Sequence, residues 1–243
     1  MARAAVTARE EKAFFPPALA AAVSGACAAV SHNLAGQRLG PKGRITRERI
    51  LSAALELIES NEDEAFSLGG VARRAGLGMS SLYNYFSDQT ELLLAVLEPV
   101  MATAEEAYMA LAREYWADAE LSERTEAFIA AYHGFWARHS GLLHLRNSLA
   151  DQLDLRMMHH RIDSTRPLIA LLIRQMTRGE EPGKTETSMA TVLMTGIERS
   201  ITLATDKRLP KLTGLPFDAD KERYLGCSAR LLEMAIRDMR GAA

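Results

Sequence analysis

The spacing of apolar residues limits most strongly what this chain can fold into. From Ile45 onward apolar residues recur three or four positions apart, and no segment shows the strict alternation of a half-buried strand. In RITRERILSAALELIES, Ile50, Ala54 and Leu57 fall on one face of a helix whose expected N-cap is Thr46. The pattern predicts an all-α chain of about nine helices, with one more near the N-terminus.

Composition fits a globular chain with a large core, since 48% of the 243 residues are hydrophobic and 25% are charged. The net charge of −2 does not favour nucleic-acid binding by the molecule as a whole, so that function would need a local basic patch. Cys27 and Cys227 lie far apart, which predicts free thiols rather than a disulfide.

Residues 13–37 carry no charged side chain, which raises a membrane segment or an export signal as possibilities. Prolines and polar residues interrupt the run, and Glu10 and Glu11 stand where a signal peptide has positive charge. An apolar stripe at helical spacing fits better, and its members are Leu19, Val23, Cys27, Val30 and Leu34. We expect an amphipathic helix over 18–35, with disorder or export as the alternatives.

The stretch SLGGVARRAGLGMSSLYNYF at 67–86 has the pattern of a helix-turn-helix. Ser67 would cap the first helix, and the two glycines of AGLG at 75–78 permit a tight turn. Apolar residues at helical spacing would anchor both helices: Val71, Ala72, Ala75, Leu77, Leu82 and Phe86. The free side of the second helix would then present hydroxyl and amide groups, which suit phosphate oxygens and base edges.

Basic residues cluster just before this motif. Between positions 38 and 49 five cations face the single acid Glu48, a local net charge of +4, and they are Arg38, Lys42, Arg44, Arg47 and Arg49. Arg73 and Arg74 add two more positive charges beside the turn. A flexible basic arm over 38–49 can reach into the minor groove of DNA.

The helix beginning TRERIL, followed by SLGGVARRAGLGMSSLYNYFSDQTELL, resembles the DNA-binding domain of tetracycline-repressor (TetR) family regulators over residues 44–97. The resemblance implies a cytoplasmic homodimer that binds a pseudo-palindromic operator on double-stranded DNA and represses until a small ligand enters its C-terminal domain. We expect an N-terminal extension at 1–40, a three-helix helix-turn-helix domain at 41–91, and a helical ligand-binding and dimerisation domain at 92–243.

The candidate DNA contacts, taken from the resemblance, the free side of the second helix and the basic cluster, are Arg44, Ser67, Met79, Ser80, Ser81, Tyr83, Asn84, Tyr85 and Gln89. Ser67 would contact a phosphate from the start of the second helix. Ser81 and Tyr85 would contact phosphates from the third. Tyr83 and Asn84 would reach bases or backbone.

The sequence departs from the family pattern at two places. Gly69 and Gly70 stand where polar or basic side chains are common, which costs helix stability and removes possible contacts. Gln89 stands where a lysine is common, so any phosphate contact there would be neutral. We therefore expect operator affinity to depend more on the basic segment 38–49.

Aromatic residues concentrate between 108 and 136, which suggests an apolar pocket between helices and a hydrophobic or amphipathic inducer. The candidate ligand contacts are Tyr108, Trp116, Phe128, Tyr132, His133, Trp136, Arg146, Asn147, Met158 and Arg174. For any single aromatic residue, the alternative is an ordinary place in a well-filled core.

Catalysis and metal binding lack motifs in this chain. The histidines at 133, 139, 144, 159 and 160 show neither HxxxH nor HExxH spacing, and GxSxG, P-loop and GxGxxG patterns are absent. We expect no enzymatic activity, no metal and no cofactor.

Two C-terminal segments, 185–205 and 218–240, carry more apolar surface than one subunit's core requires. The rows are Met189, Leu193, Ile197 and Ile201 on the first, Leu225, Ala229, Leu232, Ile236 and Met239 on the second, and Tyr224, Leu231 and Ala235 beside them. Gly196 and Ser200 would allow close approach. The surplus predicts an isologous four-helix homodimer interface, with burial inside one subunit as the alternative.

A fourth helix starting at Ser87-Asp88, running on to about residue 116 and bent at Pro99, would link the two domains. The resulting hypothesis is a repressor released from its operator by a small molecule, with no membrane partner. An activator and a constitutive repressor without inducer remain alternatives, and a peripheral membrane or exported protein is the alternative from another class.

Overall fold

A computed structural model describes residues 32–34, 36–60, 66–178, 180–209, 214 and 221–241. Within these residues the chain is helical, and the extended pairing is limited to one isolated antiparallel bridge between His32 and Arg38. The prediction of an all-α fold with an N-terminal helix-turn-helix is confirmed. The helix predicted over 18–35 lies mostly outside the described residues, and its last residues, 32–34, are not helical.

Three helices form the N-terminal unit: α1 (Pro41–Glu59), α2 (Leu68–Arg74) and α3 (Met79–Tyr83). The expected N-cap at Thr46 is wrong, because α1 begins earlier, with Gly40 as N-cap and Pro41 in the first turn, where its missing N–H removes no helix bond. The Thr46 hydroxyl donates to the Lys42 carbonyl oxygen at 2.9 Å inside the helix. Residues 41–49 are therefore helical and not a flexible arm.

The next helix, α4 (Gln89–Ala102), starts at a reciprocal cap. The Asp88 carboxylate accepts a hydrogen bond from the Glu91 backbone N–H at 2.8 Å, and the Glu91 carboxylate accepts one from the Ser87 N–H at 2.6 Å. Two backbone donors at the helix start are thus satisfied, in a variant of the capping box in which the acidic side chain accepts from the residue before the N-cap. The predicted start of this helix agrees with the structure.

The far end of α4 differs from the expectation of one long helix. It passes Pro99 and ends at Ala102, where the Thr103 hydroxyl donates to the Val100 carbonyl oxygen at 2.7 Å in competition with the backbone pattern. A single π-helical turn and a four-residue helix follow, Glu105–Met109 and α5 (Ala110–Arg113). The helix predicted to run to about residue 116 is therefore three pieces.

Five helices form the C-terminal bundle: α6 (Leu121–Arg138), α7 (Ser140–Asp151), α8 (Leu155–Thr177), α9 (Lys184–Thr205) and α10 (Lys221–Gly241). Helix α10 packs along α6 and also touches α8 and α9. Helix α8 lies between α7 and α9, and α7 also contacts α1 of the N-terminal unit.

Aromatic side chains fill the middle of this bundle. Tyr108, on the π-helical turn, meets Tyr132 of α6 edge-on at a ring-centroid distance of 4.9 Å. Phe128 stacks on Tyr132 at 6.0 Å and lies 5.9 Å from Trp116. All four rings are buried, so they form a continuous core.

Gln175 of α8 holds the non-helical chain that follows α5. Its carbonyl oxygen accepts from the Trp116 N–H at 3.0 Å, and its amide nitrogen donates to the carbonyl oxygens of Ala112 (3.0 Å) and Glu114 (2.6 Å). Because this stretch leaves the helix, its backbone groups need partners from elsewhere, and the buried amide supplies three of them. Arg240 near the end of α10 donates to the Gln175 backbone carbonyl at 2.8 Å.

Replacing Gln175 with leucine should lower the free energy of unfolding by about 2–4 kcal/mol, because buried backbone groups lose their partners while the side-chain volume is kept. Urea denaturation followed by circular dichroism measures the loss. The neighbouring Arg174→Gln substitution is the control, since Arg174 is exposed and should change stability by less than about 0.5 kcal/mol. Equal stability of Q175L and the wild-type protein would contradict this account.

Candidate functional site

Helix α3 has one buried side and one exposed side. Leu82 is completely buried, and Val71 of α2 and Phe86 after α3 are also buried around it. On the opposite side Met79 and Tyr83 are 37% and 49% exposed, respectively. The remaining polar side chains there, Ser80, Ser81 and Asn84, are exposed as well. The structure thus gathers the residues proposed for base and phosphate contacts on one open surface, which we call the α3 face.

A glycine turn sets the direction of α3. Gly76 adopts a left-handed conformation with φ +63°, which favours glycine. Its N–H donates to the Arg73 carbonyl oxygen at 3.1 Å, and the Leu77 N–H donates to that of Ala72 at 2.9 Å. These bonds satisfy carbonyl groups at the end of α2 and hold α3 at a defined angle.

Two residues proposed as phosphate contacts also stabilise the start of α2. Ser67 is the N-cap, and its hydroxyl oxygen accepts from the Gly70 N–H at 3.2 Å. Gln89 donates from its side-chain amide to the Phe66 carbonyl oxygen at 3.2 Å. Gln89 therefore connects the first residue of α4 to the chain entering α2.

The basic cluster at 38–49 divides into exposed and buried cations. The Arg47 guanidinium lies 5.2 Å from the centroid of the Phe86 ring and is only 8% exposed, so it packs in the helix-turn-helix core. The exposed members are Arg38, Lys42, Arg44 and Arg49. Sequence spacing alone did not show which cations are exposed and which is buried, since all of them precede or occupy the same helix.

Tyr85 is half-buried against the start of α1. A Cβ atom added to Gly43 would lie 3.7 Å from the Tyr85 hydroxyl oxygen and 2.9 Å from a methyl group of Leu39. The glycine therefore allows Leu39 and the tyrosine to pack close to the α1 backbone. This contact leaves less of Tyr85 available to a ligand than of Tyr83.

Residues 32–39 add a contact that sequence reasoning missed. The Leu34 N–H donates to the Asn84 carbonyl oxygen at the end of α3, at 3.0 Å. Asn33 and Gln37 close the small turn, because the Asn33 side-chain oxygen accepts from the Gln37 N–H at 2.9 Å. Asn33 is the sequence signal that could have indicated this turn, since asparagine side chains bond to nearby backbone groups in turns. The turn brings Arg38 beside the helix-turn-helix.

The structure brings four of the ten candidate ligand contacts to one small cavity of about 10 Å³ and separates the rest, and the four are Tyr108, Tyr132, Trp136 and Arg146. The five aromatic residues, Tyr108, Trp116, Phe128, Tyr132 and Trp136, lie in the packed core, where His133 is also buried. Met158 packs partly buried against that core, and Arg174 is exposed. Asn147 is the member of the set that borders an open cavity between α7, α8 and α9. Their role in binding a ligand stays a prediction.

An open cavity of about 1200 Å³ lies between α7, α8 and α9. Its wall includes His144 and Asp151 from α7, Arg161 from α8, and Glu198 and Arg199 from α9. Burial lowers the pKa of His144, and the nearby Asp206 carboxylate opposes that shift. Apart from Asn147, sequence reasoning missed this wall because its polar residues come from three helices that packing brings together.

Arg146 separates this cavity from the aromatic core. Its buried guanidinium donates to the Asn147 side-chain oxygen (3.0 Å), the Ser164 hydroxyl (3.3 Å) and the Glu198 carboxylate (3.4 Å). Its central carbon lies 5.7 Å from the centroid of the Trp136 ring. Burial lowers the pKa of Arg146, whereas the nearby Glu198 carboxylate opposes that shift.

Two phenols border the other side of this arginine. Burial raises the pKa of Tyr108 to about 12 and holds the pKa of Tyr132 well above its ordinary value. Both therefore remain neutral and do not balance the Arg146 charge. Glu198 is the carboxylate that does so.

Among the described residues, no group of three or more histidine, cysteine or acidic side chains is arranged to hold a metal ion. No helix in that part of the chain combines the length and apolar character needed to span a membrane. Most of the uncharged run at 13–37 lies outside the described residues.

Comparison with known proteins matches residues 50–96 to the model of the bacterial regulatory proteins of the tetR family. A 66-residue segment is 35% identical to the HTH-type transcriptional repressor DrrR1 of Streptomyces coeruleorubidus. This similarity covers 27% of this chain and 24% of the relative. The matched family segment contains α2 and α3, which carries the α3 face, and about half of α1 and of α4.

Substituting alanine at Gly69 and at Gly76 should change stability in opposite directions. Gly69 is exposed within α2 and has open space at its Cβ position, so G69A should raise the free energy of unfolding by about 0.5–1 kcal/mol. Gly76 has φ +63°, so G76A should lower it by about 1 kcal/mol. Urea denaturation of both variants checks the pair, and a shift of the same sign in both would contradict the assigned backbone.

Proposed function

Because residues 50–96 match the tetR family of bacterial regulatory proteins, we propose that this chain is a regulator of that family and represses transcription from a pseudo-palindromic operator as a homodimer until a small molecule releases it. The observation that carries the DNA-binding part is the α3 face. A short helix anchored by buried Leu82 leaves Met79 and Tyr83 exposed beside three polar side chains. That division between packing and exposure is what a recognition helix needs.

Electrostatic attraction to DNA would come from the cations around this face. Arg44 and Lys42 are exposed in the first turns of α1, and Arg38 is exposed in the turn that docks on α3. These charges would neutralise phosphates, although the whole chain carries a net charge of −2. Arg47 would contribute through stability, because it is buried over Phe86.

Within the α3 face, we propose base or backbone contacts for Tyr83 and Asn84 and phosphate contacts for Ser81. Hydroxyl and amide groups serve both kinds of contact, and all three side chains are exposed. Ser67 and Gln89 would act at the phosphate backbone from the start of α2 and α4. Their bonds to Gly70 and Phe66 would keep that edge of the face in place.

The homodimer would form through the outward faces of α9 and α10. The α10 row that contains Leu232 and Ile236 is buried in the subunit's own bundle. The adjacent row remains exposed, with Leu231 and Met234 at 56% and 52%. Exposed apolar residues at helical spacing on a terminal helix favour an isologous contact with a second copy.

Signal transfer would use the contact between α4 and the start of α8. The Thr90 hydroxyl donates to the Asp154 carboxylate at 2.6 Å, and Arg156 pairs with Asp88 at 3.0 Å. Asp88 caps α4 and Asp154 caps α8, so each bond joins one helix start to the other. A shift of α8 would therefore reach the helix that follows the recognition unit.

Tyr83→Ala should reduce affinity for the operator at least tenfold, because it removes the largest exposed side chain of the α3 face. Fluorescence anisotropy on duplexes that tile the DNA upstream of the protein's own gene, at two salt concentrations, measures this. Leu155→Ala is the control, since Leu155 is 65% exposed on the C-terminal bundle. Tight, salt-sensitive binding to one duplex that survives Y83A unchanged would contradict the assigned face. Binding to no duplex would count against DNA binding itself.

Leu231→Glu should convert the dimer to monomers at micromolar concentration, because each dimer would bury two carboxylates in an apolar contact. Sedimentation velocity measures the change. Leu155→Glu is the matched control, because it places the same charge at a similarly exposed leucine away from α10. A dimer that persists in L231E, or is lost equally in L155E, would rule out this interface.

A further inference from the structure

The cavity between α7, α8 and α9 combines charged and polar side chains with apolar surface. Of the residues described along its wall, all but four are polar or charged, and the apolar four are Ile162, Ile169, Leu203 and Leu209. A hydrophobic molecule would cover the polar groups without replacing their bonds to water, which opposes binding. The aromatic residues that suggested an apolar pocket are packed against one another instead.

Every carboxylate on this wall already has an arginine partner. The pairs are Asp151 with Arg161 at 2.8 Å, Asp206 with Arg208 at 2.9 Å, and Glu198 with the buried Arg146 at 3.4 Å. The acidic groups therefore give the wall no surplus negative charge. A cationic ligand would have to displace an arginine to find a counter-ion.

Arg199 supplies the surplus positive charge. The fourth arginine of the wall, Arg166, pairs with Asp163 at 3.2 Å. Arg199 follows Glu198 on α9, is exposed, and has no ion pair or hydrogen bond in the described part of the chain. A guanidinium in this state can bind a carboxylate or a phosphate through two parallel N–H groups.

The neutral groups on the wall are mainly acceptors. Thr191, Thr195 and Thr202 donate their hydroxyl hydrogens to backbone carbonyl oxygens one turn earlier, at 2.7–2.8 Å. Their oxygens keep free lone pairs. The Gln152 side chain donates to Ser148 at 3.2 Å, which leaves its carbonyl oxygen as an acceptor. Acceptors of this kind suit the hydroxyl groups of a ligand.

We propose that this cavity binds a small hydroxylated organic anion whose carboxylate or phosphate pairs with Arg199 and whose hydroxyl groups donate to the threonine oxygens. This proposal depends on the proposed function in one respect, namely that the bound molecule acts as the inducer. It replaces the hydrophobic inducer expected from the aromatic residues. Asp151, at the end of α7, would place the ligand one turn from Asp154, which bonds to Thr90 of α4.

Thermal unfolding and isothermal titration calorimetry test the ligand class with four probes: sodium gluconate, glucose 6-phosphate, glucose and 1-octanol. Ionic strength is matched with sodium chloride. At least one of the two anions should raise the melting temperature and bind, while glucose and octanol do not. Arg199→Gln should weaken anion binding at least tenfold. Arg166→Gln removes the same charge from a residue already paired with Asp163 and should weaken it less than threefold.

An anion can also bind the DNA-facing surface, so Arg44→Gln is measured in parallel and should leave the Arg199-dependent binding intact. The proposal is overturned if neither anion binds, if octanol binds instead, or if Arg199→Gln and wild type bind anions equally. Fluorescence anisotropy with the operator duplexes, measured on the same samples, distinguishes a failure of the ligand proposal from a failure of the repressor proposal. If the protein binds no duplex but still binds an anion through Arg199, the proposed repressor function is refuted. The proposed class of ligand for the cavity is then retained.

Discussion

The close approach of α7 to α1 is the constraint on which the arrangement of the two halves depends. A Cβ atom on Gly141 would lie 2.7 Å from the Ile58 carbonyl oxygen, so a larger residue would push the helices apart. Beside this contact the Glu59 carboxylate accepts from the Leu142 N–H at 3.4 Å, at the helix end that favours negative charge. Burial raises the pKa of Glu59, and the bond from Leu142 opposes that shift.

Helix α7 contacts α1 through Gly141 near its start. The turn that follows its last residue leads to Asp154, which caps α8 and accepts a hydrogen bond from Thr90 of α4. The middle of α7 borders the cavity through His144 and Asn147. Since protein interiors are packed too tightly to deform continuously, a shift of α7 would move both contacts together. One helix thus connects the proposed ligand site to the proposed DNA-binding site.

Local chemistry explains which parts of this fold could be predicted from the sequence. The helix-turn-helix was predictable because the Ser67 cap, the Gly76 turn and the apolar anchors lie within 20 consecutive residues. The start of α1 was not, because Gly40 and Pro41 offer a second start signal within six residues of Thr46, and local sequence does not choose between the two. The cavity could not be predicted from the sequence, for a more general reason. Helical periodicity shows which face of a helix is apolar, but it does not show whether that face meets a core or a void.

The polar wall of the cavity also bears on how a ligand could act through α7. A ligand shifts the balance between two arrangements only by the difference in its affinity for them. A hundredfold change in operator affinity requires about 2.7 kcal/mol of such difference. One hydrogen bond to a charged group contributes about 1.5–3 kcal/mol, so a single bond to a guanidinium made in only one arrangement is sufficient. An apolar ligand would need a large change in buried area for the same effect, whereas Arg199 or Arg161 needs to move only beyond hydrogen-bond distance. If the proposed anion binds here, arginines on helices that pack against α7 would therefore let a small anion alter DNA binding through a few charged hydrogen bonds.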